Sequence, residues 1–210
     1  MNNPEERKDF NKEAAQWDAN PGRVKLANEV ADAVIREAAP GPGMDALDFG
    51  CGTGLVTLRL QPLVRSVIGV DSSEGMLGVL REKIRTQGLK NVQACHVDLE
   101  KGGSVDGAFH LVVSSMTLHH VPGVAPLFRQ WHELLLPGGL LCIADLDTED
   151  GSFHGDNTGV FHFGFDREHL KRLLRETGFH DLKDTTATTM MRDTEAGKRA
   201  FPVFLITGRK

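Results

Sequence analysis

The 210 residues contain no tyrosine, and aromatic residues together make up only 6%. Chemistry that rests on a phenol is therefore excluded, including the Tyr-x-x-x-Lys pair of one class of nicotinamide-dependent oxidoreductases. Cysteine is scarce: Cys51, Cys95 and Cys142 are odd in number, widely spaced, and each lies in or beside an apolar run. This excludes a disulfide framework and reads as reduced, buried thiols of a cytoplasmic protein. No C-x-x-C pair exists, which removes the usual structural zinc spacing. No apolar run approaches a membrane span. Met1-Asn2-Asn3-Pro4 followed by charges lacks the apolar centre of a secretory signal. An excess of basic residues is also missing. The formal net charge is -5, which weighs against nucleic acid as the main partner.

The rest of the composition is that of an ordinary globular chain, with 40% hydrophobic and 25% charged residues. There is no internal repeat and no low-complexity segment. The length fits one structural unit with a sizeable core. Asn20-Pro21 reads as an N-cap with proline at the first helical position. Leu26, Val30, Ala31, Val34 and Ile35 then follow at helical spacing until Pro40-Gly41-Pro42-Gly43. Residues 1–40 are expected to form a helical cap and residues 41–210 an α/β domain, as one unit.

Beyond residue 44 the pattern alternates. Apolar runs at Ala46–Phe49, Ser66–Val70, Asn91–Val97, Ala108–Val113 and Leu140–Ala144 read as strands. Leu55–Leu60, Ser73–Gln87 and Pro122–Leu136 read as helices between them. Strands that are apolar throughout and alternate with helices imply a doubly wound, mostly parallel sheet. A long polar loop over residues 147–164 follows. Asp166 then caps a further helix closed by Gly178, and strands are expected at Asp181–Thr188 and Phe201–Thr207. Glu195–Lys198 reads as a solvated turn.

The strongest signal is Leu47-Asp48-Phe49-Gly50-Cys51-Gly52-Thr53-Gly54, where a buried strand turns into a helix. Glycines let the backbone turn sharply and approach a ligand, and the helix N-terminus favours an anion. The dinucleotide fingerprint G-x-G-x-x-G/A is not met, because Leu55 stands where its third small residue belongs. Asp71 ends the next strand and can accept hydrogen bonds from vicinal ribose hydroxyls. Asp98 ends the third and can accept from an adenine amine. Three successive strands thus deliver a carboxylate to one edge of the sheet, the edge where open α/β sheets bind ligands.

In these segments the chain resembles the class I S-adenosylmethionine-dependent methyltransferases. The matching residues are Leu47–Gly54, Val70-Asp71-Ser72-Ser73-Glu74-Gly75-Met76-Leu77, Val97-Asp98-Leu99, Phe109–Ser115 with Leu118-His119-His120, and Leu135-Leu136-Pro137-Gly138-Gly139. The resemblance implies a seven-stranded, Rossmann-like sheet whose last strand is antiparallel, with S-adenosyl-L-methionine as cofactor. It implies that Gly50, Cys51, Gly52, Thr53 and Gly54 line the methionine part, and that Asp48 anchors near the ammonium group through water. It implies that Asp71 holds the ribose and Asp98 the adenine amine, that Ser114 or Ser115 sits by the sulfonium, and that Trp17, Ser72, Met76, Leu99 and His119 also border the cofactor. Ala14-Ala15-Gln16-Trp17-Asp18 resembles the segment that closes over the cofactor in many members.

Simpler readings stand beside these. Asp71 is also a plausible helix cap, Met76 a core residue and Trp17 a packing anchor. Of the nine histidines, His119, His120, His154 and His162 fall in the fourth-strand loop and the long loop, near Asp145, Asp147 and Asp156, where a metal site or a general base is conceivable. The simpler reading makes His119 a pocket residue and the others solvated loop residues, and no metal ion is expected. Methyl transfer from a sulfonium needs mainly positioning; where a base is required, His119 and His162 are the candidates. Phe153, Phe161, Phe163 and Phe165 suggest an apolar-walled pocket for a small-molecule acceptor. The alternatives are a non-catalytic S-adenosylmethionine-binding module and, against the evidence of Leu55, a nicotinamide-dependent oxidoreductase. Oligomeric state is not legible in the sequence.

Overall fold

The computed structural model describes residues 8–97, 105–194 and 197–210. Asp98, Leu99 and Glu195 therefore lie outside the described residues. Seven strands form one sheet in the order β3-β2-β1-β4-β5-β7-β6. They are β1 (Asp45–Phe49), β2 (Ser66–Asp71), β3 (Val92–His96), β4 (Phe109–Ser115), β5 (Leu135–Leu146), β6 (His180–Thr194) and β7 (Gly197–Arg209). Every neighbouring pair from β3 to β5 is parallel, and β7 runs antiparallel to both β5 and β6. The doubly wound, mostly parallel seven-stranded fold expected from the alternation is the fold observed. Among the described residues no helix is long and apolar enough to cross a membrane.

Helices cover both faces of the sheet. On one side, α2 (Pro21–Ala38) packs Val30, Ala31 and Val34 against Ala46, Leu111, Cys142 and Leu205. On the other, α5 (Val124–Leu134) and α6 (Arg167–Glu176) bury Trp131, Phe128, Leu170 and Leu174 against Leu47, Val112, Ile143 and Phe204. Burying a large side chain of this kind contributes about 1.5–3 kcal/mol, so these two layers carry the stability. α2 starts where the sequence indicates: Asn20 Oδ1 accepts from the backbone N–H of Gly22 at 2.9 Å, and Pro21 fills the first turn. α4 (Glu74–Gln87) is capped by Ser73, whose hydroxyl accepts from Met76 N at 3.2 Å.

Three boundaries differ from the sequence reading. The helix expected through Leu136 ends at Leu134, and β5 begins at once, with Pro137-Gly138-Gly139 as an irregularity opposite β4. Gly138 adopts φ 76° there, and its N–H donates to the carbonyl of Lys210 at 2.9 Å. The Leu55–Leu60 helix shrinks to α3 (Thr57–Leu60) followed by a 3₁₀ turn at Gln61–Leu63. The last two strands are much longer than expected and form a hairpin reaching Thr194 and Gly197. Arg192, Asp193, Lys198 and Arg199 break the apolar alternation there, so the sequence pattern ends before the strands do.

The chain reverses direction across the sheet between β1 and β4. This switch point opens a crevice beyond the carboxyl ends of the strands, the place where such sheets take ligands.

Candidate active site

A cavity of about 370 Å³ occupies this crevice. One wall comes from the β1 and β2 edges. Gly50 and Gly52 border it with φ of 72° and 54°, a region that glycine enters without strain. A Cβ on Gly50 would strike the Thr117 side chain, whereas nothing lies within 4 Å of a Cβ built on Gly52. Gly54 plays a different part: it lets the loop press onto Leu80 of α4 and does not border the cavity. Cys51, Thr53 and Asp48 are likewise buried beneath the loop and do not face the cavity.

Asp71 lies at the wall with one carboxylate oxygen accepting from Gly52 N and the other from Ser73 N, both at 2.8 Å. It braces the glycine loop, while the cap of α4 falls to Ser73. A carboxylate offers about four acceptor sites, so lone pairs remain for a ligand. Burial raises its pKa against the backbone hydrogen bonds that favour the charge. Asp48 accepts from the Thr57 hydroxyl at 2.6 Å, and burial pushes its pKa up to about 6. Ser72, Met76 and Val97 continue this wall.

The N-terminal residues close the top. Asn11 Oδ1 accepts from Gly75 N at 2.8 Å, which ties α1 (Phe10–Glu13) to the start of α4. The Thr53 hydroxyl donates to Asp18 at 2.6 Å, and Lys83 pairs with Asp18 at 2.6 Å. Trp17 borders the cavity beneath the Arg23 guanidinium, 3.8 Å from the ring centroid. Phe10 meets Trp17 and His120 edge-on at 5.9 and 5.0 Å.

The opposite wall is polar and aromatic. Ser114 is buried, Ser115 half-buried, and neither borders the cavity; Met116 and Thr117, the next residues, do. Met116 has φ 55°, so the chain kinks where β4 meets the crevice. His119 Nδ1 lies 2.7 Å from Asp145 Oδ1, with the two side chains 1% and 0% exposed. Burial opposes the charge on Asp145, but the facing imidazole outweighs it and holds the carboxyl below its ordinary range. Asp145 also accepts from Leu146 N at 2.7 Å.

The 147–165 loop is fixed to this wall. Phe161 N donates to the His119 carbonyl at 2.9 Å, and His120 Nδ1 lies 2.7 Å from the Gly159 carbonyl. His162, the other candidate base, does not border the cavity; its Nε2 lies 2.9 Å from the Val121 carbonyl. Of the four expected aromatics, Phe153 and Phe161 line the cavity. Phe163 is 42% exposed and Phe165 is packed in the core. The Phe163 backbone is fixed by its carbonyl, which accepts from Glu149 N at 2.9 Å.

Lys8, Arg23 and Arg192 border the cavity without having been singled out from the sequence; His120 and His154, read there as solvated loop residues, border it too. Arg192 comes from the part of β6 that the alternation concealed. It stacks 4.2 Å from the Phe153 ring centroid, and its Nε is buried without a hydrogen-bond partner.

A family model described as a methyltransferase domain matches residues 46–139, the segment that supplies the glycine loop, Asp71 and His119. This match and the relatives below support the class I S-adenosylmethionine-dependent methyltransferase family that the motifs resemble. An uncharacterized methyltransferase of Schizosaccharomyces pombe is 36% identical over 136 residues, covering 58% of this chain and 48% of that one. A demethylmenaquinone methyltransferase of Staphylococcus aureus is 35% identical over 111 residues, covering 51% and 45%. The chain thus spans about half the length of these curated relatives. A Haemonchus contortus phosphoethanolamine N-methyltransferase solved with S-adenosyl-L-methionine superposes with TM-score 0.71 over 96% of this chain and 60% of that one. At 16% identity it shows a shared fold.

Proposed function

We propose that this chain transfers a methyl group from S-adenosylmethionine to a small, partly apolar acceptor. The observation that carries the reading is the single cavity bordered by Gly50, Gly52, Asp71 and Ser72 on one side and by His119, Phe153 and Phe161 on the other. The first wall suits the donor. The open space at Gly52 admits a backbone-hugging ligand, and Asp71 has lone pairs left for ribose hydroxyls. Met76 and Val97 offer an apolar slot. Asp48, behind the loop, supplies negative charge toward an ammonium group. Residues 8–38 act as the cap, with Trp17 closing over the donor.

The donor supplies a methyl group already activated on a sulfonium. The protein's part is then to align the acceptor and exclude water. Phe153 and Phe161 give the acceptor an apolar bed, and His119, fixed by Asp145, is the polar group at its reacting end. His162 is tied to a backbone carbonyl away from the cavity and serves the loop. The relatives named for demethylmenaquinone point to quinols and phenols as first acceptors to try. The three free thiols, Cys51, Cys95 and Cys142, fit a cytoplasmic setting.

The test is formation of S-adenosylhomocysteine from S-adenosylmethionine with a panel of small quinols, phenols and thiols. Acceptor-dependent product that falls at least tenfold in His119→Ala supports the reading. Bound donor with no product from any acceptor would instead favour a non-catalytic binding module.

A further inference from the structure

Three histidines of the acceptor wall stand together in a way that packing alone does not require. His119 and His120 lie on the 3₁₀ turn Leu118–His120, and His154 reaches them from the 147–165 loop. The ring centroids are 4.2, 5.1 and 5.8 Å apart. One ring nitrogen from each lies within 4.8 Å of the others. Nitrogens bound to one tetrahedral zinc are about 3.3 Å apart at ordinary bond lengths of about 2.0–2.1 Å. The ligand atoms have to draw together by up to about 1.5 Å to reach that spacing.

The hydrogen bonds around the cluster have the pattern that orients metal ligands. A backbone carbonyl only accepts, so the Gly159 carbonyl fixes the proton of His120 on Nδ1. The Asp145 carboxylate does the same for His119. In its neutral form each ring therefore keeps its lone pair on Nε2. His154 has its Nε2 buried with no hydrogen-bond partner. Lone pairs gathered in a half-dry pocket repel one another, and a cation satisfies them together. The loop holds His154 in place: Glu149 Oε2 accepts from Gly151 N and Phe153 N at 2.8 and 3.1 Å. Phe153 packs edge-on to His154 at 4.8 Å and screens the site from water.

We propose that His119, His120 and His154 bind one divalent transition-metal ion of the zinc class, with the open coordination position facing the cavity. Three neutral nitrogens plus an open position are the arrangement of a catalytic site, while structural sites are closed by four protein ligands. This departs from the sequence expectation of no metal, which treated His154 and His120 as solvated loop residues. Lys8 and Arg192 also border the cavity. Their charges disfavour a bare dication but suit one carrying an anionic fourth ligand, such as hydroxide, phenolate or thiolate.

The use of the site rests on the methyl-transfer reading, although the site itself does not. An acceptor O–H or S–H that coordinates the ion gives its proton to water, because the ion lowers the acceptor's pKa. The lone pair so freed forms the new bond to the methyl carbon. The sulfur–carbon bond of the sulfonium breaks, and its electron pair stays on sulfur as the neutral thioether. His119 is then a ligand, and no separate protein base is needed.

The test uses the full untagged chain, stripped with a chelator and titrated with cobalt(II) and with zinc. Cobalt should give the intense visible absorption of a four- or five-coordinate ion. Zinc should remain at one equivalent through dialysis and raise the unfolding temperature. His154→Ala and His120→Ala should each weaken metal affinity by about tenfold or more, with unchanged circular dichroism. Should either alanine variant unfold, His154→Gln serves in its place. Substoichiometric metal after dialysis, or variants that bind as the wild type does, would overturn the proposal. S-adenosylmethionine affinity, measured on the same samples, should stay within about threefold. Loss of metal binding and loss of donor binding are thus read separately.

Discussion

On one side of the cavity, Gly50, Gly52, Asp71, Ser72 and Met76 all lie within two consecutive strand-to-helix turns. On the other, Lys8, His119, His154, Phe161 and Arg192 arrive from four distant segments. The first wall is mostly backbone, shaped by glycine conformations and braced by one carboxylate. The second is made of side chains carried by loops, a terminus and the end of a strand. A wall encoded locally can be carried unchanged from one chain to another, and residues 46–139 are those matched by the family model. A wall assembled from loops and termini can change its chemistry while the sheet stays the same.

If this contrast is sound, substitutions on the two sides should separate donor binding from everything else. The largest effect is expected for Asp145→Ala. It leaves the buried His119 without its partner and Leu146 N without its acceptor, which should cost about 3–5 kcal/mol of stability by urea denaturation. The donor affinity of the molecules still folded should be unchanged. A cost below about 1 kcal/mol would mean that the pair is not formed.

A similar effect is expected with pH at Asp48, on the donor side. Its carboxyl titrates at about 6 in the folded chain against an ordinary value of 3.8, so the folded state holds the proton more tightly than the unfolded one. Stability contributed by this group is therefore greatest below pH 4 and declines as pH rises toward 6, by about 3 kcal/mol in all. Asp48→Asn keeps an acceptor for the Thr57 hydroxyl and should flatten that part of the stability profile. An unaltered profile would show that Asp48 titrates normally.

Trp17→Ala comes next. It removes the Arg23 stack and the cover over the donor wall, and donor affinity should fall about tenfold, or about 1.4 kcal/mol, with the fold intact. Phe163→Ala is the smallest. Its ring is exposed, and both stability and turnover should change by less than about 0.5 kcal/mol. A large loss of turnover would return Phe163 to the acceptor wall and require the loop to move.

The same contrast governs what could be read from the sequence. The sheet, its strand alternation and the donor wall were legible because short-range signals specify them: apolar runs of strand length, glycines at forced turns, a carboxylate at each strand end. Ser114 and Ser115 matched a motif, but the cavity begins at Met116 because the chain kinks after β4, and a motif does not carry that dihedral angle. Arg192 was missed because charged residues interrupt the alternation where β6 and β7 extend past the sheet. His120 and His154 read from the sequence as solvated loop residues, since only the folded loop, pinned by the Gly159 and His119 carbonyls, brings the two rings together.

The most direct test of the donor wall is calorimetric titration of the purified chain and of Asp71→Ala with S-adenosylmethionine and S-adenosylhomocysteine, with NADH as control. Micromolar binding of both adenosyl ligands, weakened by about 1–3 kcal/mol in Asp71→Ala and absent for NADH, is the expected result. Equal affinity in the variant, or no adenosyl binding by the wild type, would contradict the assignment of this crevice to the methyl donor.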